Sequence, residues 1–266
     1  MRRVYKHRCS RRPAVLLSHE NRVMRRCFLQ ALMAGPMAVA LSRTISAKNK
    51  VFTVFTFGDS ILDCGRYNEY GVHPGQLIVR NNDFLFPELK GRDLLSQAAS
   101  MTALLDHRAR DGGVVDNLSW QARGIKATGP AVALVTVGGN DLLAGLAADR
   151  GEGIACFQQR LDAFLQALPV RPVLLGTVYD PTFGDDSRNF LATDARIARP
   201  KFNRINAVIR RIAPRYGELV DVHLHFLAGD PSWFTVTIEP SLRGASEVRT
   251  VFLPAVLRAF HAAQNA

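Results

Sequence analysis

An α/β fold with a central parallel sheet and helices on both faces is predicted by two alternating patterns in this sequence. Short, nearly continuous apolar runs rich in β-branched residues end at Gly, Asp or Asn, which is typical of strands buried on both faces. These runs cover residues 51–57, 131–137, 172–178 and 219–222. Between them lie segments whose apolar residues recur every three or four positions, as in amphipathic helices. Alternation of the two patterns predicts parallel strands joined by crossover helices.

Three segments have the helical period, at residues 153–168, 200–216 and 246–263. Pro254 lies inside the last of them and is expected to bend it. The long segment 66–110 follows neither period and is predicted to form loops and short helices beside the carboxyl edge of the sheet. Ligands bind beyond that edge in open α/β sheets, so functional residues are expected there.

The positive charge of the chain is concentrated at its N-terminus. The 266 residues carry a net charge of +11, but twelve of the 34 basic residues and one of the 23 acidic residues precede residue 51. Residues 51–266 therefore hold 22 of each and are electroneutral. A nucleic-acid-binding domain needs excess cations on its folded part, so nucleic acid is excluded as a partner. The hydrophobic fraction of 47% excludes a disordered chain.

Residues 1–50 form a basic leader, and residues 24–47 within it have the layout of an export signal. An arginine pair at 25–26 precedes Phe and Leu, as in a twin-arginine signal, and a moderately apolar segment follows. This segment is too short for a stable membrane span. The alternatives are a basic amphipathic surface helix and an uncleaved anchor. We expect a start at Met24, export to the periplasm or secretion, and one folded domain at residues 51–266.

Polar motifs follow two of the predicted strands. Ser60 comes two residues after Gly58, which permits a tight turn, at the expected start of a helix. Asn140 follows Gly138 and Gly139, and its amide can donate to a developing oxyanion. Either motif alone is also explained as a turn with a helix N-cap. Their occurrence on consecutive strand–helix units predicts a shared site at one edge of the sheet.

These two motifs resemble blocks of the GDSL, or SGNH, family of serine esterases and acyl hydrolases. The sequence FGDSILD at 57–63 is similar to the first block of that family, and VGGND at 137–141 is similar to the third. The resemblance implies a three-layer, flavodoxin-like α/β fold. It also implies that Ser60 is the nucleophile and that Asn140 donates to the oxyanion.

The second and last blocks of the family are altered in this chain. Ala122 stands where the second block has a glycine whose N–H feeds the oxyanion hole, and a backbone N–H survives that change. The last block is normally Asp-x-x-His, but Val236 and Glu239 occupy those two positions. Glu239 is therefore one candidate for the base that activates the serine. The alternative is a structural acid paired with Arg243 or Arg249.

His223 and His225 are the other candidates for the base, because they follow the last predicted strand. If that strand continues, Asp221 shares a face with both and could orient one of them, as the acid of a triad does. Histidines satisfied locally are one alternative, and a metal site built from Asp-x-His-x-His is another. No metal or cofactor is expected.

We therefore expect an exported serine hydrolase that cleaves a small-molecule or carbohydrate ester through a seryl acyl-enzyme. One alternative is an acyltransferase that passes the acyl group to a hydroxyl of an envelope carbohydrate. A second is a binding protein without activity, which the missing Asp-x-x-His pair would explain. The loop at 179–186 either lines the substrate cleft or is an ordinary turn.

Overall fold

The computed structural model describes residues 50–98, 101–126 and 128–266, and residues 1–49 of the basic leader lie outside them. A five-stranded sheet forms the centre of this part of the chain. Its strands are β1 (Lys50–Gly58), β2 (Met101–His107), β3 (Ala131–Thr136), β4 (Val173–Gly176) and β5 (Gly217–Val220). They are ordered β2-β1-β3-β4-β5, and every adjacent pair is parallel.

Helices connect the strands, and a short ribbon precedes the last helix. The helices are α1 (Pro74–Val79), α2 (Leu118–Gln121), α3 (Gly139–Leu143), α4 (Gly153–Ala167), α5 (Ala195–Ile212), α6 (Val222–Leu227) and α7 (Leu242–Gln264). The ribbon pairs β6 (Phe234–Thr235) with β7 (Glu239–Pro240) in antiparallel fashion. Within the described residues, no helix combines the length and the apolar character that crossing a membrane requires.

Strand β1 shows how the sheet is buried on both faces. Phe55 and Phe57 belong to a core that includes α4 and α5. Phe52 and Val54, which alternate with them, belong to a second core that includes α7. Because successive side chains of a strand point to opposite faces, one strand contributes to both cores. The predicted α/β fold with three layers is confirmed.

Strand β2 and the start of α5 differ from the sequence-based assignment. The stretch 66–110 was predicted to lack strands, yet it contains β2. This strand lies at the edge of the sheet and keeps residues such as Leu104 exposed, so it shows no continuous apolar run. Helix α5 begins at Ala195, five residues before the predicted start, because the side chain of Asp194 accepts a hydrogen bond from the N–H of Arg196 at 2.8 Å.

Candidate active site

The turn after β1 is shaped by Gly58. Its φ is +117°, and a Cβ at this position would lie 1.6 Å from the carbonyl oxygen of Thr136, so only glycine fits. The buried amide of Gln121 holds the same residue from the other side. The N–H of Gly58 donates to Oε1 of Gln121 at 2.7 Å, and Nε2 of Gln121 donates to the Gly58 carbonyl at 2.8 Å. No local pattern in the sequence indicates this second contact, which joins residues 63 positions apart.

Ser60 follows this turn and is buried, with 7% of its surface exposed. The helix expected there does not form, and the chain makes a single turn in which the N–H groups of Leu62 and Asp63 donate to the carbonyl of Asp59. The side chain of Asp59 caps the turn through the N–H of Ile61 at 3.2 Å. Since Asp59 does the capping, the Ser60 hydroxyl is not engaged as a cap.

Two buried carboxyl groups hold the loops of the site. Oδ1 of Asp59 accepts a hydrogen bond from the hydroxyl of Thr136 at 2.8 Å, and burial raises the pKa of Asp59 to about 6. The carboxyl of Asp141 accepts from the N–H of Val115 at 3.2 Å, and burial raises its pKa to about 7. These contacts join the loops that follow β1, β2 and β3.

Asn140 lies in the first turn of α3 and lines the same pocket as Ser60. The N-cap of α3 is Gly138, and no side chain caps this helix. The amide Nδ2 of Asn140 donates to the carbonyl of Gly113 at 3.3 Å. The structure therefore brings together the serine and the asparagine that were predicted to share one sheet edge, since both residues line one pocket.

The N–H of Ala122 is not available as an oxyanion donor, which corrects the sequence-based assignment. It donates to the carbonyl of Leu118 at 3.0 Å at the end of α2. The loop after β2 reaches the site through Gly113 instead, which follows Gly112 and accepts a hydrogen bond from the amide of Asn140. A Cβ on Gly113 would lie 2.4 Å from the Gly58 carbonyl oxygen, so the two loops touch. Within the described residues, the N–H of Gly112 has no acceptor.

Glu239 lies in β7, beside Ser60, and is 9% exposed. Burial raises the pKa of its carboxyl, while hydrogen bonding with the Ser60 hydroxyl opposes that shift. Its Oε2 is buried and has no hydrogen-bond partner in the part of the chain that the structure describes. Arg243 pairs with Glu247 at 2.7 Å, and Arg249 donates to Asn81 at 2.6 Å. The alternative of a structural Glu239 held by one of these arginines is therefore wrong.

The ribbon that carries Glu239 is tied to the sheet by Tyr179. The hydroxyl of this buried residue, just after β4, donates to the carbonyl of Ile238 at 2.7 Å. Val236, at the position of the family's aspartate, lies in the exposed turn between β6 and β7 with φ +45°. A side chain at 236 therefore does not lie behind residue 239.

The two histidines after β5 contact groups other than Ser60. The segment forms helix α6 rather than a continued strand, and Asp221 caps it through the N–H of Leu224 at 3.1 Å. The ring of His223 packs against Phe202, and Nε2 of His225 lies 2.9 Å from a carboxyl oxygen of Glu247. The predicted common face of residues 221, 223 and 225 is therefore wrong. In the described residues, no cluster of three or more His, Cys, Asp or Glu side chains is arranged to hold a metal ion.

His107, a histidine without any sequence motif, supports the Ser60 turn through Asp63. His107, the last residue of β2, has Nε2 3.0 Å from Oδ1 of Asp63 and Nδ1 2.7 Å from the hydroxyl of Thr56. Its ring stacks on His73, whose pKa burial lowers to about 3. Asp63 also accepts from the N–H of Asp111 at 2.9 Å. Because both ring nitrogens of His107 are engaged, this cluster fixes the Ser60 turn against the loop of Gly112.

The chain has the fold of solved ester hydrolases. It superposes on the lipase/acylhydrolase from Enterococcus faecalis with a TM-score of 0.56 and 15% identity, over 77% of this chain and 94% of that chain. It superposes on the acetylxylan esterase from Geobacillus stearothermophilus with a TM-score of 0.54 and 17% identity, over 78% of this chain and 93% of that chain. A member of the lipolytic G-D-S-L family from Veillonella parvula superposes with a TM-score of 0.51 and 17% identity, over 78% of this chain and 99% of that chain. No family model and no curated protein sequence matches the chain.

Proposed function

We propose that this chain is an ester hydrolase that works through a seryl acyl-enzyme at Ser60. The observation that carries the proposal is the arrangement around the Ser60 hydroxyl. The carboxyl of Glu239 lies next to it, close enough for the hydroxyl to lower the pKa of the carboxyl, and Asn140 lines the same pocket. A nucleophile, a base and an oxyanion donor are the three groups that acyl transfer requires. The shared fold with lipases and acetylxylan esterases supports the same chemistry.

In the first step, the carboxylate of Glu239 takes the proton of Ser60 while Oγ attacks the carbonyl carbon of the ester. The tetrahedral intermediate then collapses, the bond to the alcohol oxygen breaks, and the protonated Glu239 gives its proton to that oxygen. Water repeats the sequence on the acyl-enzyme, with Glu239 as its base, and releases the acid. Each proton that Glu239 accepts is returned, so the enzyme regains its starting state.

The negative charge on the carbonyl oxygen would be held by three donors. These are the side-chain amide of Asn140 and the N–H groups of Ser60 and Gly112. Gly112 replaces Ala122 in this role, because the N–H of Ala122 is already donated within α2. Donors fixed in a partly buried site need no reorganisation when the charge develops.

A carboxylate base explains why the chain lacks the aspartate of the family. Histidine becomes a cation when it accepts a proton, and a neighbouring acid stabilises that cation. Glu239 instead becomes neutral, so no partner acid is required behind it. Burial raises its pKa, which makes it a stronger base than an exposed glutamate.

The substrate is proposed to be a small-molecule or carbohydrate ester met outside the cytoplasm, since the leader has the layout of an export signal. Acyl transfer to a carbohydrate hydroxyl uses the same acyl-enzyme and differs only in the acceptor. Comparing the release of acid with and without an added carbohydrate acceptor distinguishes hydrolysis from transfer.

The test is covalent labelling of the full chain with a fluorophosphonate, together with turnover of p-nitrophenyl esters. We expect both to be lost in Ser60→Ala and retained in Ser119→Ala, which removes an exposed serine of α2. Labelling and turnover that persist in Ser60→Ala would eliminate the mechanism. A wild-type chain that is neither labelled nor active would favour a binding protein with a degenerate site.

A further inference from the structure

The pocket that begins at Ser60 and Asn140 extends between α3, the loop after β4 and the first turns of α5. Its walls are mostly apolar. They include Leu142, Leu143, Val178, Phe190, Leu191 and Phe202. Of the two alternatives for the loop at 179–186, a cleft wall or an ordinary turn, this geometry favours the cleft wall, because Tyr179 through Thr182 and Asp186 line the pocket.

The charged groups in this wall are paired with one another. Arg199 lies 2.5 Å from the carboxyl of Asp180 and 2.8 Å from that of Asp186, and it donates to the hydroxyl of Thr182 at 3.0 Å. Asp180 also accepts from the N–H groups of Thr182 and Gly184. Because these carboxyl and guanidinium groups satisfy each other, the part of the wall formed by the loop after β4 and by α5 offers no unpaired charge to a ligand.

Asn189, the remaining polar side chain near the rim, is likewise used within its own loop. It accepts from the N–H of Leu191 at 3.2 Å and donates to the carbonyl of Thr193 at 2.8 Å. These bonds shape the loop that presents Phe190 at the pocket. Phe190 is 39% exposed and Leu143 is 44% exposed, so two large apolar side chains of the pocket wall remain open to solvent.

The position of the base decides which half of an ester enters this pocket. Glu239 returns its proton to the leaving alcohol oxygen, so the alcohol must lie on the Glu239 side of Ser60. Glu239 is not among the residues that line the pocket; its neighbour Ile238 touches the pocket, but most of the wall comes from α3, the loop after β4 and α5. The acyl group, which stays on Ser60 after the alcohol leaves, is therefore the half that faces the apolar walls.

We propose that this pocket binds an uncharged aliphatic acyl chain, and that the chain selects esters of medium-length fatty acids over acetate esters. This inference rests on the proposed hydrolase function and names its substrate class. Recognition comes from burial of methylene groups against Leu143, Phe190 and their neighbours, since the polar groups of the wall are already paired.

The experiment compares kcat/KM of the full chain for p-nitrophenyl acetate, butyrate, hexanoate and octanoate. Each methylene that the pocket buries should raise kcat/KM roughly fourfold. Phe190→Ala and Leu143→Ala should each lower kcat/KM for the preferred long ester by about tenfold and leave that for acetate within about twofold. Leu224→Ala is the matched control, because Leu224 is an exposed leucine of α6 outside the pocket.

Fluorophosphonate labelling of Ser60 separates the two proposals. Labelling with a flat chain-length profile, or with an acetate preference, would overturn the acyl pocket and leave the hydrolase intact. The same holds if Phe190→Ala and Leu143→Ala keep the wild-type ratio of octanoate to acetate. Absence of labelling and of turnover with every ester would overturn both. A rising profile that is lost in these two variants and kept in Leu224→Ala is the expected result.

Discussion

The side-chain amide of Gln121 forms hydrogen bonds with both backbone polar groups of Gly58, with its Oε1 at 2.7 Å from the glycine nitrogen and its Nε2 at 2.8 Å from the glycine oxygen. A primary amide matches a peptide unit because both present one donor and one acceptor side by side. Gly58 fixes the direction in which the chain leaves β1, two residues before Ser60. A side chain of α2 thus sets the position of the nucleophile without facing the substrate pocket.

We predict that Gln121→Ala lowers both stability and kcat. The variant leaves the N–H of Gly58 unsatisfied, and loss of this buried contact should reduce the free energy of unfolding by about 2 kcal/mol. The Gly58 carbonyl keeps its bond from the N–H of Arg110 at 3.0 Å, so the fold should survive. Urea denaturation and ester turnover measure the two effects. Gln97→Ala, which removes one 3.5 Å contact to Gly91, is the control and should change neither.

The oxyanion donors give a second prediction. Asn140→Ala should lower kcat by about 10²–10³ and leave KM nearly unchanged, because the amide acts on charge that forms only in the transition state. Steady-state kinetics on a p-nitrophenyl ester provide the measurement. A change in KM alone would assign Asn140 to substrate binding.

Ala122→Gly tests whether the backbone N–H of residue 122 donates to the oxyanion. It restores the residue that the family has at the position assigned from the sequence. Because the N–H of Ala122 is bonded to Leu118, we expect kcat to stay within about twofold of the wild-type value. A large gain in kcat would return the oxyanion role to residue 122.

Buried Asp141 makes stability depend on pH. Its pKa is raised to about 7 in the folded chain, so between pH 4 and 7 the folded state binds more protons than the unfolded state. The contribution of Asp141 to the free energy of unfolding is fully present below about pH 4 and is lost as the pH rises through 7. Asp59, with a pKa of about 6, contributes in the same direction. Asp141→Asn keeps an acceptor for the N–H of Val115 and should remove part of this loss, on the order of a few kcal/mol. Urea denaturation at pH 5 and pH 8 checks this, and equal pH dependence in both proteins would contradict it.

The parts of the fold that depend on local pattern were predictable. Strands β1, β3, β4 and β5 were found because burial on both faces produces continuous apolar runs. Ser60 and Asn140 were predicted to converge because parallel strands place their carboxyl ends at one edge. Strand β2 was missed because an edge strand exposes part of its surface, which breaks the run.

The contacts that position the site were not predictable, because they join residues far apart in the chain. Nothing local marks Gln121 as the partner of Gly58, or His107 as the partner of Asp63. The histidines at 223 and 225 were misplaced because a short polar–apolar alternation fits a strand and one helical turn equally well. The Gly112–Gly113 pair is the local indication of a close backbone approach in this loop, whereas the spacing of the family's second block pointed to residue 122.

The identity of the base is the last prediction, and Glu239 is the residue it concerns. Glu239→Gln keeps the size of the side chain and removes its basicity, so kcat should fall by about 10²–10⁴. His223→Ala and His225→Ala should retain turnover, because the first histidine packs on Phe202 and the second pairs with Glu247.

The pH profile adds a readout that lost packing would not produce. Activity requires ionised Glu239, and burial raises the pKa of this group above its ordinary value of 4.5. The acid limb of kcat/KM should therefore have its midpoint above 4.5 in the wild-type chain and disappear from the residual activity of Glu239→Gln. Adding the aspartate of the family at position 236 should not help an imidazole at position 239, because residue 236 lies in an exposed turn; Glu239→His with and without Val236→Asp should therefore have the same kcat. If Glu239→Gln keeps wild-type kcat while His223→Ala or His225→Ala abolishes it, the base lies after β5 and Glu239 has a structural role.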